Sequence, residues 1–484
     1  MPGGGVTIGL DLGTSGLKAV ALDASGEVIA DVAAAYPLMT PRPGWTEQDP
    51  NAWWEATAGA LRELTDRVGA ERVEAVAPAG QMHGLVALDG DGRPVRPALL
   101  WNDQRTGAQV AEIESAVPRA ELVRRTGNPA VTGFQLPKLL WIRDEEPEAF
   151  ARVRTVLFPK DWLSFRLTGR AVSEPSDATG SGCYALDAGD WDEELLRQLN
   201  VEAGPFPELV ASDAVVGEVT NEAAEATGLR PGTPVVAGAG DNAAAATALG
   251  LGAAAPDLGS VSLGTSGVLL VPADGPDPDP QGRVHLFAHA DGSWLRLGVT
   301  LAAAGSLDWW LRILAADASV EDLVARAVAR PVGAGGVTFT PFLAGERSPF
   351  LDPDLRGGFA GLSLATERDD MVRAVLEGVA FSLADVWSVM RPLGVPSRLL
   401  ATGGGARGDA WTGMVADLLE VEIGHPEHVP GAAHGAAVLA WRARGHDVPA
   451  PDVTHWRDPR PDEGYQDAYA RYREQAPPLE PASG

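Results

Sequence analysis

A short motif occurs twice in the chain, once near the N-terminus and once just past the middle. The segment Leu-Gly-Thr-Ser-Gly occupies residues 12–16 and again residues 263–267. Each copy lies between two apolar runs, which predicts a strand, a tight glycine turn and a second strand. Asp11 precedes the first copy, whereas Ser262 takes that position in the second. Two such hairpins half a chain apart predict a duplicated fold whose turns face each other across a cleft.

Both predicted turns carry groups that bind anions. Glycine lets backbone N–H groups approach a ligand closely, and the neighbouring hydroxyl groups add donors. A polyphosphate fits such turns, and a carboxylate in only one hairpin suits a nucleotide with distinct inner and outer ends. That carboxylate, Asp11, could also hold a metal ion. The predicted nucleotide-contacting residues of the two turns are Gly13, Thr14, Ser15, Gly264 and Thr265.

Length and composition place the chain among large globular enzymes. Its 484 residues exceed what one hydrophobic core supports, which predicts two domains, and 45% hydrophobic residues is an ordinary content. The single cysteine, Cys183, permits neither an intramolecular disulfide nor a cysteine-based zinc site. We therefore expect a cytoplasmic protein. No run of 18 apolar residues and no secretory leader are found, so no membrane span is predicted.

The net charge of −28 and the isoelectric point near 4.6 make nucleic acid an improbable partner, because phosphate backbones need a basic surface. An anionic ligand must instead be held by local backbone dipoles and a cation. Oligomeric state does not follow from these numbers, and a homodimer stays open.

Helix and strand patterns alternate through both halves, which predicts the α/β class. Asp49 followed by Pro50 predicts a helix start, with the helix running to about residue 68. Further along, we predict a strand at 235–237 and helices over 369–390 and 410–419.

Asp241 stands where a predicted strand ends and an alanine-rich helix begins. A carboxylate in this position can simply cap the helix. Gly238 and Gly240 clear space beside it, however, and α/β sheets bind ligands at the carboxyl ends of their strands. The pattern therefore also makes Asp241 a candidate general base, accepting a proton from a hydroxyl group that attacks phosphorus.

Polar residues with no obvious structural use follow two other strand-like segments. Amide and imidazole donors would bind the hydroxyl groups of a polyol, and an indole would cover an apolar sugar face, although a lone histidine can equally be structural. The predicted polyol-binding residues are Gln81, Met82, His83, Trp101, Asn102 and Asp103.

Two later motifs are open to more than one interpretation. Residues 403–408 fit the G-x-G-x-x-G string of dinucleotide-binding proteins, yet a glycine turn between strand and helix can equally accept the adenine or ribose of ATP. Glu346 and Arg347 are interpreted as a buried ion pair with a structural role.

Taken together, these segments resemble the FGGY family of carbohydrate kinases, within the actin-like ATPase superfamily. The resemblance covers nearly the whole chain, and one family signature is readable at residues 357–362, continuing at 370–371 and 374–377. The run at 81–84 is most similar to that of family members that act on D-xylulose. The loop at 128–133 and Gln135 depart from the family pattern close to the expected sugar site.

The resemblance implies a fold and an assignment of roles. It implies an α/β protein of two actin-like ATPase (ribonuclease H-like) domains with a deep interdomain cleft, residues 1–246 holding the sugar and 247–484 holding ATP. Met82, His83 and Asn242 would lie in the sugar site, Asp241 would be the general base, and Asp11 would act through Mg²⁺ and the phosphates. The glycines that would contact adenosine are Gly403, Gly404 and Gly405.

The implied reaction is ATP-dependent phosphorylation of D-xylulose at its 5-hydroxyl group. Three alternatives remain at this stage: a kinase of another pentulose or polyol, a dinucleotide-dependent oxidoreductase that uses residues 403–408, and an actin-like ATPase that needs no sugar.

Overall fold

A computed structural model describes residues 4–314 and 319–479 of the chain. The strands of the first half are β1 (Val6–Leu12), β2 (Gly16–Asp23), β3 (Val28–Ala35), β4 (Glu47–Gln48), β5 (Val73–Gly80), β6 (Val86–Leu88), β7 (Ala98–Leu99), β8 (Thr155–Leu157), β9 (Val172–Ser173), β10 (Tyr184–Ala185), β11 (Asp190–Trp191), β12 (Glu208–Leu209), β13 (Val215–Glu218), β14 (Pro234–Val236) and β15 (Ala239–Gly240). Its helices are α1 (Pro50–Val68), α2 (Gly107–Ala116), α3 (Arg119–Thr126), α4 (Gln135–Glu145), α5 (Pro147–Phe150), α6 (Pro159–Thr168), α7 (Pro175–Ala178), α8 (Glu193–Gln198), α9 (Asn221–Thr227) and α10 (Asp241–Ala248).

The second half is built from fewer and longer elements. Its strands are β16 (Leu258–Leu263), β17 (Gly267–Ala273), β18 (His285–Ala288), β19 (Trp294–Thr300), β20 (Thr338–Thr340), β21 (Gly358–Ala360), β22 (Arg398–Thr402), β23 (Glu422–Pro426) and β24 (Val453–Arg457). Its helices are α11 (Ala304–Leu314), α12 (Val320–Val328), α13 (Arg368–Met390), α14 (Asp409–Leu419), α15 (Ala432–Arg442) and α16 (Glu463–Arg473).

The central sheets of the two halves share one topology. Five strands run in the order β3-β2-β1-β5-β14 in the first sheet and β19-β17-β16-β22-β23 in the second. In each sheet the first three strands pair antiparallel, and the next two join in parallel. An antiparallel strand, β13 or β24, closes the far edge. The duplication predicted from the repeated Leu-Gly-Thr-Ser-Gly motif is therefore confirmed at the level of the sheet.

Local sequence signals set the boundaries of α1. The Asp49 side chain accepts a hydrogen bond of 2.9 Å from the backbone N–H of Asn51, and Pro50 is the first helical residue. The helix ends at Val68 because Gly69 follows with φ near 87°. Both ends agree with the prediction from Asp49 and Pro50. Helices α13 and α14 each begin one residue before the predicted start.

Helix α15 belongs to the second half in the chain, yet it packs on the sheet of the first half, mainly against β1 and β5. The Thr7 hydroxyl donates to the carbonyl of Ala437 at 2.8 Å, and the indole N–H of Trp441 donates to the carbonyl of Leu22 at 3.0 Å. Both bonds join residues more than 400 positions apart. The helix is thus the principal connection between the two halves.

Helices α10 and α15 pack against each other at unusually close range. A Cβ atom added to Gly435 of α15 would lie 1.7 Å from the carbonyl oxygen of Ala244 in α10. A Cβ atom added to Gly9 of β1 would lie 1.8 Å from the carbonyl oxygen of Ala433. The contact surface is lined largely by alanine, because only small side chains let two helices and a sheet approach this closely. Its buried alanines include Ala75, Ala77, Ala79, Ala239, Ala243, Ala244, Ala432, Ala436 and Ala440.

Candidate active site

Three strands of the first sheet end side by side. Leu12 at the end of β1 lies opposite Gly80 of β5, and Gly80 lies opposite Gly240 of β15. The turn at residues 13–15 and the side chain of Asp241 therefore both follow from one edge of the sheet. Ligands of α/β sheets bind at this edge, beyond the carboxyl ends of the parallel strands.

The glycines before Asp241 permit close packing rather than leaving open space. Gly238 has φ near 77°, and a Cβ atom there would lie 1.7 Å from the carbonyl oxygen of Pro78. A Cβ atom on Gly240 would lie 2.8 Å from the side chain of Met82. The backbone before α10 can consequently lie directly on β5 and on the predicted sugar site.

Asp241 is the first residue of α10, and the cap is Gly240, so the capping role considered from the sequence is wrong. Its Oδ1 atom accepts hydrogen bonds from the backbone N–H of Asn242 at 2.8 Å and from the amide of the same residue at 3.0 Å. Burial, and then the charge of Asp11, raises the pKa of Asp241 to about 7. A carboxylate with that pKa is a competent proton acceptor near neutral pH.

Asp11 lies near the end of β1, within electrostatic range of Asp241. Burial raises its pKa to about 6, and the charge of Lys18 opposes that rise. Each carboxylate disfavours ionisation of the other, so a cation between them would stabilise both charged forms. Carboxylate oxygens are the protein ligands that Mg²⁺ prefers. The residues present therefore fit a magnesium ion, with Asp11 as its first candidate ligand.

The first hairpin turn is held by a network of side-chain hydrogen bonds. The Thr14 hydroxyl accepts from the indole N–H of Trp101 at 3.0 Å and contacts the amide oxygen of Gln81 at 3.2 Å. The amide of Gln48 donates to the Thr14 carbonyl at 2.8 Å, and that of Gln81 donates to Gln48 at 3.2 Å. Gln81 is buried and has partners at both amide atoms, so it shapes the turn. Ser15 is exposed at the tip.

Met82 and Asn242 lie in contact beside Asp241. The Asn242 amide lies 3.5 Å from the Met82 sulfur. The same amide donates to the Asp241 carboxylate. Both residues adjoin a small enclosed space that is also lined by Ser176, Phe287 and Leu297. The structure thus places two of the predicted sugar-site residues next to Asp241.

His83 occupies the left-handed region of the backbone with φ near 68° and stacks on Phe134 with ring centroids 4.6 Å apart. Its Nδ1 atom lies 2.8 Å from the carbonyl oxygen of Gly180. Burial lowers the pKa of His83 to about 3, so the ring is neutral. Since a carbonyl only accepts, Nδ1 carries the proton and Nε2 is an acceptor. The imidazole would therefore accept from a hydroxyl group, the reverse of the predicted donor role.

In the loop that begins at Trp101, the side chain of Trp101 is accessible and that of Asp103 is buried. Trp101 is 41% exposed, and Asn102 accepts from the Thr46 hydroxyl at 2.7 Å. Asp103 has no exposed surface, and both of its oxygens accept hydrogen bonds, from Thr46 and from Arg105. The predicted contact of Asp103 with a ligand is thus replaced by a supporting role in this loop.

The second hairpin turn lies beside the glycine turn of residues 403–405. Strands β16 and β22 are parallel with Ser262 opposite Thr402, so Gly264 and Gly403 follow from one edge. A Cβ atom on Gly403 would lie 2.7 Å from the Leu263 carbonyl carbon. This edge is the counterpart of the Asp241 edge in the other sheet.

A cavity of about 530 Å³ opens beside this glycine turn. Two histidines that sequence reasoning did not identify line it, His425 and His455, with rings stacked 4.5 Å apart and nearly parallel. Asp409 accepts from His455 at 2.7 Å. The sequence holds no spacing signal for this group, because β23, β24 and α14 are brought together only by the fold. The other residues that line this cavity include Gly403, Gly404, Ala406 and Arg407.

A second missed group supports the Asp241 turn from behind. Lys160 is fully buried among three carboxylates, with Asp161 as its hydrogen-bonded partner and Glu174 at 3.4 Å. Ser176 donates to Glu174 at 2.8 Å and accepts from the backbone N–H of Gly240 at 3.0 Å. The group fixes the backbone that carries Asp241.

Glu346 and Arg347 do not form the predicted ion pair. The Glu346 Oε1 atom accepts from the backbone N–H groups of Leu301 and Arg347, both at 2.8 Å. The Arg347 guanidinium turns away and donates from Nε to His285 at 3.1 Å. Burial raises the pKa of Glu346 to about 8. The two backbone donors, not the neighbouring guanidinium, hold this carboxyl group.

The raised pKa of Glu346 predicts a pH-dependent stability. The folded state holds this proton up to about pH 8, whereas the unfolded chain releases it near pH 4.5. The group's stabilising contribution is therefore lost as pH rises through 8. Between pH 7 and pH 8.5 we expect the free energy of unfolding of the wild-type protein to fall by about 1 kcal/mol relative to Glu346→Gln. Urea titrations of both proteins at the two pH values measure this difference, and parallel pH dependences would contradict it.

Comparison with known proteins gives consistent results over most of the chain. The models of the N-terminal and C-terminal domains of the FGGY family of carbohydrate kinases match residues 6–250 and 259–444. The xylulose kinase of Bacillus subtilis (strain 168) is 38% identical over 437 residues, 90% of this chain and 87% of that protein. That of Escherichia coli (strain K12) is 39% identical over 436 residues, 90% and 89% of the two chains. The solved xylulose kinase of Rhodospirillum rubrum superimposes with a TM-score of 0.90 at 31% identity, over 97% of each chain.

The predicted α/β class and actin-like topology are confirmed by this superposition and by the two similar sheets. Within residues 4–314 and 319–479, no helix is both long and apolar enough to cross a membrane. Because two family models and relatives above 30% identity cover most of its length, the chain belongs to the FGGY family of carbohydrate kinases.

Proposed function

We propose that this carbohydrate kinase phosphorylates D-xylulose at its 5-hydroxyl group, with ATP as phosphoryl donor and Asp241 as general base. The observation that carries the proposal is the position of Asp241. It lies at the edge shared by three strands, beside the first hairpin turn, with its pKa raised to about 7. Relatives that share 38–39% of the sequence are xylulose kinases, which supports this choice of sugar.

The sugar would lie in the first half, between Asp241 and the aromatic residues beside His83. Asn242 would donate to a hydroxyl group near the reacting end, and the Nε2 atom of His83 would accept from one farther away. Trp101 would supply its exposed indole face to the carbon skeleton. Close packing of Met82 against Gly240 would keep this pocket narrow, which favours an open-chain sugar.

ATP would lie with its phosphates between the two hairpin turns and its adenosine beside the glycine turn. The turns would offer the backbone N–H groups of residues 13–15 and 264–266 to the phosphate oxygens. Gly404 and Gly405, with the cavity lined by His425 and His455, would take the base and ribose. This arrangement retains the predicted division into residues 1–246 and 247–484, one for the sugar and one for the nucleotide.

A magnesium ion held by Asp11 would neutralise phosphate charge during transfer. The protein's own groups would then do the rest. Asp241 would take the proton of the hydroxyl group, and Lys160 with its buried carboxylates would keep the backbone of Gly240 in place. Exclusion of water by approach of the two halves would direct the phosphoryl group to the sugar.

The alternatives from the sequence are narrowed by family membership. A dinucleotide-dependent oxidoreductase and a sugar-independent ATPase are not carbohydrate kinases, which supports the proposal that residues 403–408 contact ATP. Another pentulose or a polyol stays the alternative substrate, and it would use the same Asp241.

A coupled assay of ADP release over a panel of ketoses, polyols and sugar acids tests the proposal. We expect kcat/KM to be highest for D-xylulose, with one ADP released per sugar phosphorylated and a requirement for Mg²⁺. A higher value for another sugar would replace the substrate while keeping the reaction. ADP release that ignores every sugar would contradict the proposal altogether.

The assignment of the glycine turn to ATP makes its own prediction. A Cβ atom on Gly404 would meet no other atom within 4 Å, so Gly404→Leu should fold normally and project into the cavity. We expect KM for ATP to rise about tenfold or more, with KM for the sugar unchanged, because filling this space removes contact area from the nucleotide. Gly107→Leu, at another open position, is the control. An unchanged KM for ATP would place the base elsewhere.

A further inference from the structure

Arg347 is a cation that has no role in the proposed phosphoryl transfer. It lies in the second half on the segment that follows β20, and it is only partly exposed. Two other buried arginines are neutralised by carboxylates, Arg105 by Asp103 and Arg373 by Glu377, while Arg296 donates to two backbone carbonyl groups. Arg347 has no carboxylate within 4 Å among the described residues. Burying a guanidinium without a counter-charge is costly, so such a group indicates a ligand that accepts its hydrogen bonds.

One relay of hydrogen bonds fixes the direction of this guanidinium. Asn128 Oδ1 lies 2.8 Å from Nδ1 of His285, and the Asn128 amide donates to the Leu286 carbonyl, which identifies Oδ1 as the acceptor. His285 therefore carries its proton on Nδ1 and accepts with Nε2 from Nε of Arg347 at 3.1 Å. The loop at 128–133, which departs from the family pattern, thus orients Arg347 from the opposite half.

The rest of the guanidinium is free to bind a ligand. Its two terminal nitrogens have no hydrogen-bond partner among the described residues and keep some contact with solvent. A continuous line of aromatic contacts leads from here to the sugar site: His285 stacks on Phe287 at 5.6 Å, and Phe287 contacts His83 at 5.7 Å. After burial, the charge of Arg347 also lowers the pKa of His83.

Arg347 and Asp241 adjoin different residues of this site. Asn242 contacts Met82 and Asp241, whereas Arg347 is linked to His83 through His285 and Phe287. A sugar whose reacting hydroxyl group meets Asp241 would present its other end to His83 and Arg347. For a pentulose phosphorylated at C5, that end carries the C2 carbonyl group and the C1 hydroxyl group.

We propose that Arg347 is a specificity-determining residue that donates from its terminal nitrogens to the C2 carbonyl oxygen of the open-chain ketopentose. This inference rests on the proposed function. A carbonyl oxygen only accepts and a guanidinium only donates, so the two groups match. The Nε2 atom of His83 accepts from the C1 hydroxyl group of the same end. The Arg347 donor and the His83 acceptor together would select a sugar with a carbonyl group next to a terminal hydroxyl group, which is a 2-ketose.

The test compares D-xylulose with 2-deoxy-D-threo-pentitol, which keeps the hydroxyl groups at C1, C3, C4 and C5 but has no oxygen at C2. In Arg347→Met we expect kcat/KM for D-xylulose to fall about 10–100-fold, the range for hydrogen bonds to a charged group. The value for the deoxy compound should stay within about threefold of wild type, since it never offered the acceptor. Arg347→Lys, which keeps the charge and a donor, should lose less on D-xylulose.

Arg296→Met serves as the matched control, because the partners of this buried arginine within residues 4–314 and 319–479 are the carbonyl groups of Leu393 and Asp277. It should leave the ratio of the two substrates unchanged. Equal losses on both substrates in Arg347→Met would show a structural role and overturn the proposal, as would no loss on either. A wild-type enzyme inactive on D-xylulose would contradict the proposed function instead. Thermal unfolding of every variant verifies that each one is folded.

Discussion

Asp241→Asn should lower kcat by about 10²–10⁴-fold while leaving the protein folded, because positioned general bases contribute factors of this size. Asparagine keeps the shape of the side chain and its contact with Asn242, and it removes only the proton acceptor. Steady-state assays of ADP release at saturating sugar and ATP measure this loss of kcat. Turnover within tenfold of wild type would remove Asp241 from the proton transfer.

The same residue predicts the acid limb of the pH profile. The pKa of Asp241 in the free enzyme is about 7, and only the ionised form accepts a proton. We therefore expect kcat/KM of the wild-type enzyme to fall tenfold per pH unit well below pH 7. The residual activity of Asp241→Asn should lack this limb. A limb that persists in the variant would assign the titration to another group.

Stability separates loss of chemistry from loss of fold in this variant. Ionised Asp241 is destabilised in the folded protein by burial and by Asp11, so Asp241→Asn should unfold at the same temperature as wild type or higher above pH 7. Asp385→Asn is the matched control, since it alters a buried carboxyl group whose pKa is also raised, to about 6, and whose hydrogen-bond partners are Tyr469, Tyr472 and Arg473 of α16. Its kcat should remain near the wild-type value.

Gly435→Ala should be among the most destabilising single substitutions in the chain. The new Cβ atom would lie 1.7 Å from the carbonyl oxygen of Ala244, so α15 and α10 must move apart. Forcing extra atoms into a packed interface costs about 1–3 kcal/mol, and contact with rigid backbone belongs at the upper end. Because α10 begins at Asp241, we also expect kcat to fall. Urea unfolding and the kinase assay measure the two effects.

Gly431→Ala provides the comparison on the same segment. A Cβ atom at this position, just before α15, would meet nothing within 4 Å. Its stability and its turnover should stay near wild type. Equal behaviour of the two variants would mean that α10 and α15 tolerate separation, which would contradict the tight packing described here.

Signals that act over a few residues were readable in the sequence. The cap at Asp49 with Pro50 located the start of α1, and the apolar runs around the repeated Leu-Gly-Thr-Ser-Gly motif located the two hairpins. Repetition of that motif also predicted the second sheet. Such features are local, because a turn or a helix end is decided by the backbone preferences of the residues that form it.

These local signals do not determine which partner a side chain binds. Asp103 reads as a polar residue after a strand, yet Arg105 and Thr46 consume both of its oxygens. His83 was predicted as a donor, but the Gly180 carbonyl, 97 residues away, sets its tautomer. Adjacent Glu346 and Arg347 do not pair because each has another partner, the Leu301 backbone for Glu346 and the His285 ring for Arg347. Each outcome depends on a partner distant in the chain.

The sequence by itself determined the duplicated α/β architecture, the two glycine turns and Asp241 as the acid at a strand end. Only the tertiary structure decided that α15 of the second half completes the first, that His425 and His455 line the cavity by residues 403–405, and that Arg347 donates to His285 instead of pairing with Glu346. The physical reason is that these effects act over different separations along the chain. Backbone preferences and apolar periodicity act between neighbours, whereas the pairing and burial of charge depend on which distant segments the fold brings into contact.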